Sequence, residues 1–357
     1  MKPLNICFIT QKYDENDPYR ANVVEWIRQL SSNPKVNKIH VLTRYKANVN
    51  TNLNCTFSNI YSPFKLISLF LFYFEVLKQL SKKSKIFIHM GGPYAISLFL
   101  IKKLFNIKIY QWWAHPILSM STKLGFYLAI DKLFTCSDSS FPIKSRKKVI
   151  IGHGINVSRF PLRKESQPLN QSLVTSSRLT FRKNIHKMIN LVKFMHDESL
   201  NNISLDIYGS PLTNKDKLYS EYLNELIEKS NLENHVRIFD AVDHSKLNEC
   251  YLKYDVYLNF SETALDKSVL EAMSTGIPVL SCNQCFREII NDPALKTFIT
   301  FGRSDNISLI SKKIQRLLDL SVEEFEEYKI KSNLFVRRNH SIESLTNSIV
   351  DNILNDN

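Results

Sequence analysis

Short apolar runs alternate with stretches of helical periodicity along this chain, and no other feature constrains its fold so tightly. The runs lie at 4–10, 38–43, 85–89, 107–112, 132–136, 147–151, 172–175, 203–208, 235–239, 255–260, 278–282 and 297–301. Helical patterns fall between them at 21–31, 64–81, 94–105, 184–197, 214–230, 245–253, 268–275, 305–319 and 322–335. A strand that is apolar on both faces needs cover on both, which parallel sheets obtain from the helices of their crossovers. The expected class is therefore α/β. At 357 residues the chain is long for one core, so two doubly wound, Rossmann-like sheets are the natural expectation.

The break between them is expected at 161–171, PLRKESQPLNQ, a polar segment with two prolines. Charge changes there. Residues 1–165 carry 25 Lys and Arg against 8 Asp and Glu, net +17, whereas residues 166–357 carry 22 against 26, net −4. The expected domains are 1–160 and 172–340, with 161–171 as linker and 341–357 as a C-terminal helix packing back on the first domain. The basic first half suits anions, and charge alone does not choose among nucleic acid, an acidic membrane surface and a phosphate-bearing substrate.

Several classes are disfavoured. The N-terminus MKPLNICFIT reads as a strand, with no small-residue cleavage site after it, which places the protein in the cytoplasm. The longest apolar run, Leu66 to Leu77, contains Glu75 and falls well short of the roughly 20 residues that span a bilayer. It is either a core helix with basic ends or an interfacial one, for which Lys65, Lys78, Lys82, Lys83 and Lys85 would suit anionic lipid. Six scattered cysteines fit a reducing compartment, and Cys282 and Cys285 read as loop residues because no second pair follows their C-x-x-C. There is no D-x-D pair to hold a divalent cation.

Two segments carry chemistry. In SETALDKSVLEAMSTGIP, residues 261–278, Asp266 or Ser268 can cap a short helix that Gly276 and Pro278 stop, and Glu271 rides on it. A carboxylate so placed can accept two hydroxyl hydrogen bonds, or it can merely complement the helix dipole. Upstream, a strand at 172–175 runs into a turn with Arg178, Arg182 and Lys183 before an amphipathic helix. Cationic side chains and the unpaired amides of a helix start can hold a diphosphate without a glycine loop. Both segments follow strands of the second sheet, where ligands of doubly wound folds bind, so together they describe a nucleoside diphosphate site: charge for the diphosphate, Glu271 for the ribose.

With these residues in view, the chain resembles glycosyltransferases of the GT-B fold, specifically family 4, whose members retain anomeric configuration. The resemblance is carried by VIIGHGINVSRF, SSRLTFRKNI, ISLDIYGSP, HVRIFDAVDHSKLNECYLKYDVYLNFS and LEAMSTGIPVLS, in that order. It implies two Rossmann-like domains facing across a cleft. It also implies that Arg178 and Lys183 contact the donor diphosphate, that Glu271 holds the ribose, and that the peptide groups of Asp266, Lys267 and Ser268 lie near the phosphates and sugar. Gly209 and Val242 would lie near the base. His115, in QWWAHP, aligns with a histidine that faces the transferred sugar, and the other histidines read as structural. Three positions and one loop depart from the pattern: Thr263 stands where a second Glu is usual, Asp266 and Asp240 where Gly is common, and the first loop, ITQKYDENDPYRANVVEWI, has no glycine.

The implied reaction is metal-independent transfer of a sugar, of hexosyl type, from a nucleotide diphosphate sugar to a hydroxyl. Arg178, Lys183 and His115 are the catalytic candidates, and no cofactor is implied. The acceptor would be a lipid-linked glycan at the inner membrane face, in cell-surface polysaccharide or lipopolysaccharide synthesis, with peripheral contact to anionic lipid. Rival readings are a catalytically silent partner subunit, suggested by Thr263, and a relative that rearranges a sugar nucleotide. A nucleic-acid-binding protein is disfavoured because the lysines flank apolar helices rather than forming a stripe interleaved with aromatics.

Overall fold

The computed structural model describes residues 3–14, 22–46, 54–164, 171–200 and 202–356. The fold is α/β with two parallel sheets. The chain divides into two compact units, residues 1–154 with 339–357, and residues 155–338.

The first unit is built on seven strands. Its elements are β1 (Leu4–Tyr13), α1 (Asn22–Ser31), β2 (Val36–Lys46), β3 (Cys55–Asn59), α2 (Lys65–Ser81), β4 (Lys85–His89), α3 (Gly92–Ser97), α4 (Phe99–Phe105), β5 (Ile109–Trp112), α5 (Met120–Leu128), β6 (Lys132–Thr135) and β7 (Lys148–Ile150). The strands run in the order β3-β2-β1-β4-β5-β6-β7. Alternation along β1 sends Cys7 and Ile9 to a core that α2, α3, α4 and α5 close with Phe72, Val76, Ala95, Ile101 and Phe126. Phe8 points the other way and stacks on Phe87, ring centroids 5.2 Å apart. Trp26 of α1 meets Trp112 on that same side at 5.0 Å.

The second unit repeats the plan with five strands. It comprises β8 (Ser172–Ser176), α6 (Ile185–Asp197), β9 (Ser204–Tyr208), α7 (Asn214–Lys229), β10 (Val236–Phe239), α8 (Leu247–Tyr251), β11 (Val256–Asn259), α9 (Lys267–Ser274), β12 (Val279–Ser281), α10 (Gln284–Ile289), α11 (Pro293–Ile299), α12 (Ile307–Leu318) and most of α13 (Val322–His340). The order is β10-β9-β8-β11-β12. α13 is tied down by Tyr328, whose hydroxyl lies 3.3 Å from the Ile277 carbonyl oxygen, and by Asn333, which donates to the Ser274 carbonyl. The last helix, α14 (Ile342–Leu354), returns to the first unit and packs on α1. There Asn33 bonds Asn347 at 2.8 Å and Lys35 pairs with Asp351 at 2.7 Å.

Four readings of the sequence need correction. The run 297–301 is not a strand: Asp292 caps the Leu295 amide at 3.0 Å and Pro293 opens α11, so the apolar residues close a helix and Thr300 makes only a bridge to Ser281. The helical pattern at 94–105 is two helices, α3 and α4, meeting at Leu98. α5 and β3 lie where no element was read, and Cys285 sits in the first turn of α10 rather than in a loop. Of the expected linker, residues 165–170 lie outside the described residues, as do 15–21 of the glycine-free first loop.

Candidate functional site

The candidate residues of the second unit gather at the carboxyl ends of its strands. After β8 the chain turns through Ser177 to Thr180 into a 3-10 turn, Phe181–Lys183, and then α6. The Ser177 amide bonds the Tyr208 carbonyl at 3.0 Å, which lays this turn beside the end of β9. Gly209 is required there, because a Cβ would collide with the Ser177 carbonyl oxygen. Arg178 is exposed in the same turn.

Lys183 reaches across to the loop before α9. Its ammonium lies 2.5 Å from Asp266 Oδ1, and Asn259 donates to Asp266 Oδ2 at 2.8 Å. Ser281 in turn donates to Asn259 at 2.9 Å, so one polar chain joins the ends of β12 and β11 to the turn after β8. Burial pushes the Asp266 carboxyl up, but Lys183 and Asn259 outweigh it and hold the group below its ordinary value. Asp266 is the N-cap residue of α9, yet its side chain bonds no helix amide, because both oxygens are directed to Lys183 and Asn259. The sequence allowed it a capping role that the geometry gives instead to charge pairing.

On α9 the two candidates face different partners. The Ser268 hydroxyl lies 2.8 Å from that of Tyr257, whose phenol burial pushes up to about 12 and so keeps protonated. Glu271, only 4% exposed, places Oε1 2.9 Å from His244 Nε2. His244 opens the 3-10 turn after β10, two residues beyond the half-buried Val242. Arg159 lies 3.4 Å from its Nδ1, and since a guanidinium only donates, Nδ1 is the acceptor and Nε2 carries the proton toward Glu271. Phe160 packs edge-on against the ring at 5.8 Å. Gly276, at φ +83°, ends α9 in the left-handed region that glycine tolerates.

The loop between β11 and α9 is held by hydroxyl and amide contacts. Thr263 lies 3.4 Å from Ser261, hydroxyl to hydroxyl, while Asn283 donates to the carbonyls of Ser261 at 3.0 Å and Ala264 at 2.9 Å. Glu262 turns toward α6 and accepts from Asn184 at 2.9 Å and Lys187 at 3.2 Å. It lines a cavity of about 290 Å³ with Phe260, Cys282, Phe301 and Arg303.

His115 belongs to the first unit, in the segment after β5. Its Nδ1 accepts from the Ile117 amide at 3.1 Å and its carbonyl accepts from Trp113 at 2.7 Å, so the imidazole is oriented and half-buried. The structure thus joins Lys183 to Asp266 directly, sets Arg178 beside Gly209, and places Ser268 and Glu271 on one helix. Sequence reasoning left out His244, Asn259 and Tyr257. A buried carboxylate on an apolar helix face implies a donor. Which donor is decided by the return of the chain after β10, which no local pattern reports.

Residues 161–332 match the family model of glycosyl transferases, group 1. No curated protein sequence matches significantly. Among solved structures, HepE of Anabaena in complex with UDP aligns over 99% of this chain and 100% of its own, at TM-score 0.75 and 12% identity. A glycosyltransferase of Rickettsia africae aligns over 100% of both chains at TM-score 0.74 and 15% identity. The lipopolysaccharide outer core galactosyltransferase WaaB aligns over 99% of this chain and 100% of its own at TM-score 0.68 and 13% identity. The chain has the fold of GT-B glycosyltransferases, and its second unit carries the sequence pattern of their group 1.

Proposed function

We propose that the protein is a retaining, metal-independent glycosyltransferase that moves a hexose from a nucleotide diphosphate sugar to a hydroxyl. The reading is carried by Glu271, a carboxylate 4% exposed on α9, within a stretch that matches group 1 glycosyl transferases. In this proposal Glu271 accepts both ribose hydroxyls, exchanging His244 for one of them. Gly209 and Val242 border the base. Lys183 leaves Asp266 for the diphosphate, joined by Arg178 and by the amides of Asp266, Lys267 and Ser268. As the glycosidic bond breaks, negative charge grows on the departing diphosphate, where two cations and a helix start lower its energy. His115 faces the transferred sugar.

HepE has been solved with UDP and with UDP-glucose, which makes a uridine donor the first to try here. The acceptor in this reading is a lipid-linked glycan of a cell-surface polysaccharide or lipopolysaccharide, on the cytoplasmic face of a membrane. Thermal melting with UDP, GDP and ADP tests the donor half. One nucleotide at a hundred times its dissociation constant stabilises the native state by about 2.7 kcal/mol, and Arg178→Ala should remove the shift. Absence of a shift with all three overturns the proposal.

The engagement of Glu262 by Asn184 and Lys187 favours a second reading, a partner subunit that binds donor without turning it over. A nucleotide-induced shift without release of nucleotide across a broad acceptor panel would select it.

A further inference from the structure

In the first unit, α2, α4 and α5 lie on one side of the sheet, and each shows solvent a second apolar stripe besides the one it buries. In α2, Leu66, Ile67, Phe70, Phe74 and Leu77 are all exposed, Leu66 by 82% and Phe70 by 66%. At 100° per residue these five fall within one arc of about 100°, opposite Phe72 and Val76, which close the core. α4 repeats the pattern with Leu100 and Leu104, the latter 78% exposed. α5 does so with Met120, Leu124 and Leu128, the first 69% exposed. The helices are joined into one layer. Phe72 of α2 stacks on Tyr94 of α3 at 5.5 Å, the Tyr73 hydroxyl donates to the Ser97 carbonyl at 2.8 Å, and Gly125 of α5 abuts Ala95.

Charge on this layer is predominantly positive. Residues 54–130 hold nine lysines and a single acid, Glu75, which lies 3.5 Å from His40 of β2; two of the nine are paired from outside this segment, Lys102 with Asp131 at 2.6 Å and Lys108 with Asp356 at 3.6 Å. Lys65, Lys78, Lys103 and Lys123 are exposed on the same three helices. Scattered apolar residues on a surface need no explanation, but exposed apolar stripes repeated on three helices that cover one side of a sheet, each with an exposed lysine, do. We propose that this outer face, α2 with α4 and α5, docks the protein on an anionic lipid surface, with the stripes in the boundary between headgroups and acyl chains and the lysines on headgroup phosphates. A second copy of the chain suits the face poorly. A two-fold contact would set lysines of one copy against lysines of the other, and within 54–130 there is only Glu75 to neutralise them. No helix among the described residues is long and apolar enough to cross a membrane. The inference rests on the lipid-linked acceptor proposed above and extends it by naming the face that meets the lipid.

The test is co-sedimentation of the full chain with vesicles of phosphatidylcholine alone and of phosphatidylcholine mixed with phosphatidylglycerol. The wild type should pellet with the mixed vesicles and far less with the neutral ones. Combining Lys65→Glu, Lys103→Glu and Lys123→Glu should lower partitioning on the order of a hundredfold. Combining Phe70→Asp, Leu104→Asp and Met120→Asp should lower it at least about tenfold. Leu218→Asp, which alters an exposed leucine of α7 in the second unit, should leave it unchanged. No pelleting with mixed vesicles overturns the inference, as does pelleting that the apolar triple variant retains. A concentration-dependent dimer abolished by that variant, without lipid binding, assigns the face to a second copy and equally overturns it. The melting shift with nucleotide reports on the donor site separately, so a triple variant that loses lipid but keeps the shift leaves the transfer reading standing.

Discussion

Both units cover a parallel sheet with helices, yet the outer surfaces of those helices are unlike. In the second unit, α7 turns Tyr219, Leu223 and Ile227 inward and shows solvent a mixture of lysines and glutamates. In the first, α2 buries Phe72 and Val76 and still shows Phe70 and Phe74, stacked on each other at 6.3 Å. Burial of one face explains most of α7, whose exposed large apolar residues are Leu218 and Tyr222. It accounts for only half of α2, whose outer half shows Leu66, Ile67, Phe70, Phe74 and Leu77 to solvent. Polarity is distributed the opposite way. The second unit buries Asp266, Glu271, Asn259 and Asn283 around its strand ends, where each needs a partner in a medium that leaves unpaired charge costly. One unit thus gathers paired polar side chains at its strand ends, and the other shows apolar side chains on its helices.

The largest effect that would sharpen this contrast lies at Glu271. If the carboxylate holds two hydroxyls of the donor, Glu271→Ala removes two charge-assisted hydrogen bonds at about 1.5–3 kcal/mol each, and kcat/KM should fall roughly a thousandfold. Steady-state nucleotide release measures it, with Phe70→Ala as the control that leaves turnover of a soluble acceptor unchanged. Equal activity of Glu271→Ala and wild type would break the division of labour between the units.

Next in size is the Lys183–Asp266 pair. Both side chains are largely buried, at 15% and 14% exposure. Lys183→Ala would leave a buried carboxylate beside Asn259 alone, which costs about 3 kcal/mol or more. Adding Asp266→Asn removes that charge and should restore most of the stability without restoring the nucleotide shift. Denaturant melts of the two single variants and the double one give the coupling directly. A double variant no more stable than Lys183→Ala would mean that the pair is not what holds the loop before α9.

The third prediction moves to the first unit and to pH. Burial, with His153 nearby, pushes the His340 imidazole down from 6.5 to about 3. The unfolded chain takes up this proton below pH 6.5 and the folded chain does not until about pH 3. Stability from this group is therefore whole above pH 6.5 and drains away as pH falls between those limits. From pH 7 to 5 the loss is about 2 kcal/mol, and His340→Gln should flatten that slope in urea melts taken across the range. An unchanged slope would assign acid lability to other groups.

These particulars show what a sequence can and cannot announce. The strand at 85–89 was legible because Ile86, Phe87 and Ile88, buried on both faces, leave an uninterrupted apolar run. The run at 297–301 has the same look, yet it closes a helix, since the Asp292 cap and Pro293 fix the backbone from upstream. β3, with the polar Thr56 and Ser58, lies on the sheet edge and has no such run. Lys183, Asp266 and Glu271 could be picked out as candidates because charges bracketing strand ends are rare enough to notice. That Asp266 answers Lys183, and that His244 answers Glu271, depends on segments 83 and 27 residues apart that meet only in the folded sheet.

The smallest expected effect cuts closest to the comparison. Phe70→Asp in α2 and Leu218→Asp in α7 each place a carboxylate at a helix position that is 66% exposed. The fold gives both side chains nothing to lose, so each variant should melt within about 0.5 kcal/mol of wild type. For α7 that is what any amphipathic helix predicts. For α2 it is sharper, because a phenylalanine stacked on Phe74 would be expected to matter if the outer stripe belonged to the core. A loss of 2 kcal/mol or more at Phe70, in monomeric protein without lipid, would place the stripe among the packing residues and erase the difference between the two units. A neutral result leaves a row of large apolar side chains that the fold does not need, on the unit that carries the positive charge.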